Sequence, residues 1–362
     1  MLDLSAERVH AAVAAYPLTP TRIARYGSGH INDTFKVDAS TGSAAILQRI
    51  NTDIFTDPHA LMANIIAVCD HLRRAVGDHP DADRRALRLL PTKGGGPYLV
   101  DEAGECWRMY QFIGAARTYD LVEKPHHFEQ AGVAFGEFQR LLADFPAADL
   151  TETIPHFHDT PARLQALRDA VEADVCGRAD AVTAEIDFYL ERADFTELFA
   201  GIDRELLPLR VTHNDTKLNN VMIDDGTGEG ICVIDLDTVM PGLAVNDFGD
   251  SIRFGASTAL EDERDLGTVH CSMELFEVFT RGFLSQTGPS LTATEKELLP
   301  AGAKMMTLEC GMRFLTDYLA GDHYFKIHRP EHNLDRTRTQ MTLVESMETQ
   351  WETMQRIVSH HS

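Results

Sequence analysis

The sequence predicts an α+β chain in two parts, a small antiparallel β-sheet with one main helix followed by a larger, mostly helical part. Three observations carry that reading. Up to about residue 115, short apolar runs alternate with glycine and aspartate turns, the texture of hairpins. Within that stretch, residues 58–76 place Leu61, Ile65, Val68 and Leu72 at the 3–4 spacing of a helix packed on a sheet. From about residue 126 onward the apolar period is helical, with one β interruption at 209–240.

The elements follow in order. Residues 5–16 have helical spacing. Thr21 to Val37 reads as strand, glycine turn and strand, the turn being Tyr26-Gly27-Ser28-Gly29-His30. Asp38 to Ser43 is another turn, and Ala45 to Ile50 a third strand. Leu87 to Leu90 is expected as a strand, and Tyr98–Val100 pairs with Cys106–Ile113 across Asp101 to Glu105. Helices are expected at 126–144, 160–173, 181–199, 268–285, 293–321 and 335–358.

Bulk properties narrow the class. The chain has 362 residues, 44% of them hydrophobic and 25% charged, enough for a sizeable core and against disorder. A formal net charge of −23 repels nucleic acid and anionic membranes, so neither is expected as a partner. None of the six cysteines forms a C-x-x-C pair or zinc spacing, which predicts free thiols in a reducing compartment. The first residues have no basic stretch leading into an apolar one, and no run approaches 18 apolar residues. A cytoplasmic monomer is expected. His156 and His158 are the best histidine pair for a metal, but they lack the further ligands a site needs.

Val211 to Asp237 carries the chemistry. His213-Asn214-Asp215-Thr216-Lys217-Leu218-Asn219-Asn220 is too polar for anything but a loop. Residues 220–224 and 231–237 read as a hairpin around Asp225-Gly226-Thr227-Gly228-Glu229-Gly230. Asp215 and Asn220 then precede the hairpin and Asp235 ends its second strand, so all three face one cleft. Phosphoryl transfer needs this set: a carboxylate to orient the acceptor hydroxyl and take its proton, two oxygen ligands for Mg²⁺ on ATP, and a cation near the transferred group. Asp215 fits the base, Asn220 and Asp235 the metal ligands, and Lys217 the γ-phosphate contact. His213 is expected to support the loop. Asp247-Phe248-Gly249 spells a metal-binding tripeptide, but no hairpin strand leads into it. Asp247 is instead expected to cap a helix or brace the loop from beneath. Gly94-Gly95-Gly96 lacks the helix and Lys-Ser/Thr of a P-loop. Gly27, Ser28, Gly29 and His30 could cover ATP phosphates with backbone N–H groups, and residues 109–113, with Tyr110 and Phe112, could meet adenine.

With these residues in hand, the chain resembles the aminoglycoside phosphotransferase/choline kinase superfamily, and within it the bacterial N-acetylhexosamine 1-kinases. The strings are Tyr26 to Asn32, Val211 to Asn220, Asp247 to Asp262 and Glu309 to Leu315, and the resemblance spans nearly the whole chain. It implies a protein-kinase-like two-lobe fold, with residues 1–114 as a nucleotide-binding lobe and 115–362 as a helical lobe holding the catalytic loop and sugar site. It also implies ATP- and Mg²⁺-dependent phosphorylation of the anomeric hydroxyl of N-acetylglucosamine or N-acetylgalactosamine. By the same resemblance Asp215 is the base, Arg313 and Tyr324 touch the sugar, Asn32 and Asn214 belong to the substrate side, and His30–Asn32 closes over the cleft. One departure stands out: the third-strand lysine slot holds Gln48, with Arg49 beside it, and residues 58–76 contain no glutamate to pair with a lysine. Two alternatives stay open. The acidic charge suits a kinase for a cationic alcohol such as an aminoglycoside or choline, and the missing lysine–glutamate pair suits a nucleotide-binding scaffold without transfer.

Overall fold

The computed structural model describes residues 6–27 and 31–362. Five strands form an antiparallel sheet: β1 (Pro20–Arg25), β2 (Asp33–Ala39), β3 (Ala44–Arg49), β4 (Leu99–Val100) and β5 (Cys106–Gln111), in the order β1-β2-β3-β5-β4. Alternation decides the faces. Phe35, Val37, Ala45, Leu47, Trp107 and Met109 point outward and are covered by Val9 and Val13 of the first helix, Ala6–Ala14, and by Tyr16 just after it. The opposite face carries Thr34, Gln48, Arg108 and Tyr110, and Tyr110 joins the core shared with the helical part.

The helix Pro58–Val76 starts where Asp57 accepts the N–H groups of His59 and Ala60 with Pro58 in the first turn, and ends at Gly77 with φ 58°. It buries Leu61, Ile65, Val68 and Leu72 as the spacing predicts. The expected strand Leu87–Leu90 is reduced to a single bridge, Leu89 to Tyr110.

Beyond the sheet the chain is helical, with Pro125–Leu141 and Met273–Thr287 packed side by side. Thr160–Ala173 has the expected bounds. Three other expected helices are broken. The segment 293–321 splits into Ala293–Glu297 and Leu299–Ala320, the second opened by Pro300. The segment 335–358 splits at Gln350 into His332–Thr349 and Trp351–His361, and 181–199 becomes Thr183–Leu190 and Ala193–Thr196. A short strand β6 (Ala116–Arg117) follows the large sheet, and the β interruption comprises β7 (Arg210–Thr212), β8 (Val221–Asp224), β9 (Gly230–Val233) and β10 (Met240–Gly242). β6, β8 and β9 form one small sheet, and β7 pairs with β10.

One element is unanticipated in its extent, the helix Ala244–Gly255. It crosses Leu299–Ala320 at Gly249 and Gly302, where a Cβ on either glycine would strike backbone of the other helix. This contact accounts for Asp247-Phe248-Gly249: Phe248 is a fully buried core residue and Gly249 permits the helix crossing. All six cysteines are free. Among the described residues no helix is long and apolar enough to cross a membrane.

Candidate active site

The loop His213–Asn220 hangs between β7 and β8 and is held from beneath by Ala244–Gly255. Asp247 accepts the N–H groups of His213 at 2.9 Å and Asn214 at 2.8 Å, and also the Gln139 side chain at 2.9 Å. Asp250 accepts the Thr216 N–H at 2.9 Å, while Ser251 Oγ donates to the Thr216 carbonyl at 2.8 Å. Positions 247, 250 and 251 share one helix face, so a single rigid element fixes the loop backbone at His213, Asn214 and Thr216. Asp247 therefore braces the loop, as expected, from within the first helical turn.

His213 is buried against Phe135 and Phe138. Its Nε2 lies 2.9 Å from the Ile234 carbonyl, which only accepts, and its Nδ1 receives the Asp215 N–H at 3.3 Å. The two partners select the Nε2–H tautomer. Asn214 adopts φ 63° and turns its side chain inward, donating to the Thr238 carbonyl at 2.9 Å and accepting from Thr212 Oγ1 at 3.0 Å. Its amide, expected on the substrate side, bonds Thr212 and Thr238, which flank the loop.

Asp215 stays half-buried and open to the cleft, with Lys217 Nζ 2.9 Å from its Oδ1. Asn220 donates to the Asp215 carbonyl at 2.8 Å and to Oδ2 at 3.2 Å. Against burial, which would lower it, the carboxylates of Asp215, Asp250 and Asp235 hold the Lys217 ammonium above its ordinary value. The β8–β9 register pairs Val221 with Val233, and the Ile234 N–H bonds the Asn220 carbonyl at 2.9 Å. Asn220 and Asp235 thus stand at the same end of one hairpin. Asp235 has φ 61°, and keeps a face exposed. Its setting deep in the cleft, then the carboxylates of Asp237 and Asp215, push its carboxyl up to about 6, opposed by Arg108 and His213.

Among the described residues no three His, Cys, Asp or Glu side chains converge as a protein-only metal site. Mg²⁺ does not require one, since it commonly takes one or two carboxylates and completes its shell with water and phosphate oxygens. A carboxyl crowded by two others, beside an amide oxygen, fits such an ion, because a cation relieves that repulsion. His156 and His158 do not converge either: His156 is exposed and bonds Asp159 at 2.8 Å, whereas His158 is buried against Glu309.

The cleft roof is made by the sheet. Gly27 has φ 79°, a turn conformation glycine adopts without strain. Ser28, Gly29 and His30 lie outside the described residues. Asn32 donates to Asp237 Oδ2 and accepts the Asn51 N–H at 3.0 Å. Tyr110 is buried beneath Arg108, whose guanidinium is 5.3 Å from its ring centre. Phe112 meets Tyr26 edge-on at 5.8 Å and carries Lys36 Nζ at 4.2 Å, so the glycine turn and the segment after β5 touch. Gln48 donates to Thr34 Oγ1 at 3.1 Å and accepts Arg108 Nε at 3.0 Å. Arg49 is tied to Asp33 and Glu105.

The helical side brings Arg313 and Tyr324 together. Arg313 Nη2 lies 3.3 Å from the Tyr324 hydroxyl, and its guanidinium sits 5.6–5.7 Å from the rings of Phe157, Tyr324 and Phe325. One turn earlier on the same helix, Glu309 accepts from Thr160 at 2.7 Å and pairs with His158 Nδ1 at 2.8 Å. His158 Nε2 reaches the Asn214 carbonyl at 3.2 Å. A continuous chain of contacts thereby joins the helix bearing Arg313 to the residue before Asp215. Sequence reading gave no such role to His158, Glu309, Asp250, Asp237 or Arg108: His158 entered only as a discounted metal ligand, Glu309 and Asp250 only within the resembling strings, and Asp237 had a local signal in the Asp-x-Asp spacing with Asp235.

The chain is similar to known proteins. A family model described as the phosphotransferase enzyme family, APH, matches residues 22–270, more than half of the chain. Among solved structures, an aminoglycoside phosphotransferase from Alicyclobacillus acidocaldarius is 14% identical with a TM-score of 0.67, covering 99% of this chain and 98% of that one. An amicoumacin kinase in complex with AMP-PNP, Ca²⁺ and Ami is 13% identical with a TM-score of 0.64, covering 94% and 93%. A choline kinase from Cryptosporidium parvum is 14% identical with a TM-score of 0.58, covering 94% and 92%. These likenesses establish the protein-kinase-like fold, and the family match across the sheet, the His213–Asn220 loop and its bracing helix shows that the chain belongs to the APH phosphotransferase enzyme family.

Proposed function

We propose that this phosphotransferase moves the γ-phosphoryl group of ATP to the anomeric hydroxyl of an N-acetylhexosamine, giving the sugar 1-phosphate and ADP. Asp215 orients the hydroxyl and takes its proton, a match helped by the greater acidity of an anomeric hydroxyl. Lys217, resting on Asp215 at 2.9 Å, turns to the transferred phosphoryl group. Asn220 and Asp235 hold Mg²⁺, which supplies charge neutralisation at the phosphates. Asn32 and the glycine turn lie over the nucleotide, with the segment around Tyr110 and Phe112 at adenine.

The observation that favours a neutral sugar is the Arg313 site. A guanidinium ringed by Phe157, Tyr324 and Phe325 offers donors to an acetamido carbonyl and aromatic faces to sugar C–H groups. The charge there disfavours a cationic acceptor: burial, and next the positive charge of Arg313, holds Arg163 below its ordinary value. An aminoglycoside or choline would add a third cation. A scaffold without transfer is disfavoured because Asp215, Lys217, Asn220 and Asp235 are all present at one hairpin end. Incubation with N-acetylglucosamine or N-acetylgalactosamine, ATP and Mg²⁺, with the phosphate located by NMR, decides. Phosphate on O1 is expected. Phosphate on O6, or turnover of amines but not of neutral sugars, would overturn the reading.

A further inference from the structure

The cation missing from the third strand has a counterpart one strand away. Thr34, Gln48 and Arg108 stand in register across β2, β3 and β5, on the face that looks toward the helical part. Their side chains form one polar row, Thr34 to Gln48 at 3.1 Å and Gln48 to Arg108 at 3.0 Å. The row ends on Asp237, paired with Arg108 through Oδ1. Arg108 is 1% exposed and Asp237 4%. A charge so deep persists only when paired, so this contact is strongly selected by the fold. Asn32 takes the other Asp237 oxygen. The helix Pro58–Val76 reaches the same segment through Asn64, which donates to the Val239 carbonyl at 3.2 Å and the Thr151 carbonyl at 2.7 Å.

In protein kinases a third-strand lysine pairs with a helix glutamate, joining the two elements that frame the phosphates. Here neither partner exists, and the sheet, the glycine-turn end and the helix each bond directly to residues 237–239. Asp235, Asp237 and Asp215 bring three carboxylates toward a cleft that must also receive a polyphosphate. Without a cation behind Asp237 that segment would be repelled from its neighbours.

We propose that Arg108 is the positioning cation of this active site, acting through Asp237 to hold Asp235 where it binds Mg²⁺ on the nucleotide. Gln48 orients the guanidinium in place of carrying charge. This rests on the phosphotransferase reading of the Asp215–Asp235 cleft, not on the identity of the acceptor.

The test is calorimetric titration of the full chain with Mg·ADP at several Mg²⁺ concentrations, alongside melting curves. Arg108→Met is expected to weaken Mg²⁺-dependent ADP binding about 10–100-fold, the usual scale for groups that support metal ligands. Arg108→Lys should recover part of it. Asp237→Asn should resemble Arg108→Met, and the double variant should be no worse than either, because the two act as a unit. Gln48→Met, at a partly exposed position, should weaken binding less and carries the test if Arg108→Met does not melt cooperatively. Unchanged Mg²⁺ dependence in Gln48→Met and Arg108→Met, or additive effects of Arg108→Met and Asp237→Asn, overturns the proposal. A wild-type chain that does not bind Mg·ADP would sink the underlying reading instead.

Discussion

Asp215 is half-buried, salt-bridged to Lys217 and held by Asn220, so its carboxylate is oriented before any substrate arrives. Asp215→Asn keeps the shape but removes the carboxylate proposed as the base. Turnover should fall about 10²–10⁴-fold, while calorimetric Mg·ADP affinity stays near wild type. Retained turnover would assign the base elsewhere. His158 and Glu309 give a pH prediction. Burial would lower the His158 pKa, but Glu309 raises it above the ordinary histidine value. Burial would raise the Glu309 pKa, but His158 and Arg313 lower it. The His158 contribution is fully present below about 6.5 and fades as pH rises through the raised value. The Glu309 contribution is present above about 4.5 and fades as pH falls through the lowered value. Melting temperature should therefore be best supported by this pair between those limits. In His158→Gln the decline on the alkaline side should flatten, and an unchanged profile would refute the coupling. Their pairing was illegible in the sequence because 151 positions separate them.

Among elements, the helix Ala244–Gly255 does most to set the site, since Asp247, Asp250 and Ser251 hold the loop. Its position depends on Gly249 crossing Gly302. Gly249→Ala must separate the two helices, at a cost of about 1–3 kcal/mol for overpacking. Because the loop hangs on that helix, activity should drop by more than thermal stability at the assay temperature explains. A variant destabilised but with wild-type kcat at low temperature would show that the loop is independently fixed. The extent of the helix escaped sequence reading because almost all of it is buried and Gly249 interrupts it, so neither an exposed polar face nor good propensity marks it. By contrast, Pro58–Val76 was readable with its bounds, since it has an apolar stripe, an aspartate cap, an early proline and a terminal glycine.

For the whole molecule, the net charge of −23 sets a field that a nucleotide must enter. The screening length is about 30 Å at 0.01 M salt and about 10 Å at 0.1 M. Raising salt across that range should lower the KM for Mg·ATP, as screening removes repulsion from distant carboxylates faster than it weakens contacts inside the cleft. A KM that rises steadily with salt would mean that the local cations Lys217 and Arg108 dominate at long range too.

The sequence by itself determined the α+β order, the hairpin that carries Asn220 and Asp235, and the polar loop with Asp215. Each is encoded locally, in strand alternation, turn residues and short spacings. Only the tertiary structure decided what surrounds them. It brought Arg108 to Asp237, Glu309 to His158 and Gly249 to Gly302, pairs separated by tens to more than a hundred residues. Such contacts depend on how the sheet face, the loop and the helices pack, and a buried ion pair leaves no periodic signature in either of its partners. The substitution of Gln48 for lysine was visible along the chain, but its replacement by Arg108 arises from strand register, which places the two side by side only after β3 and β5 pair.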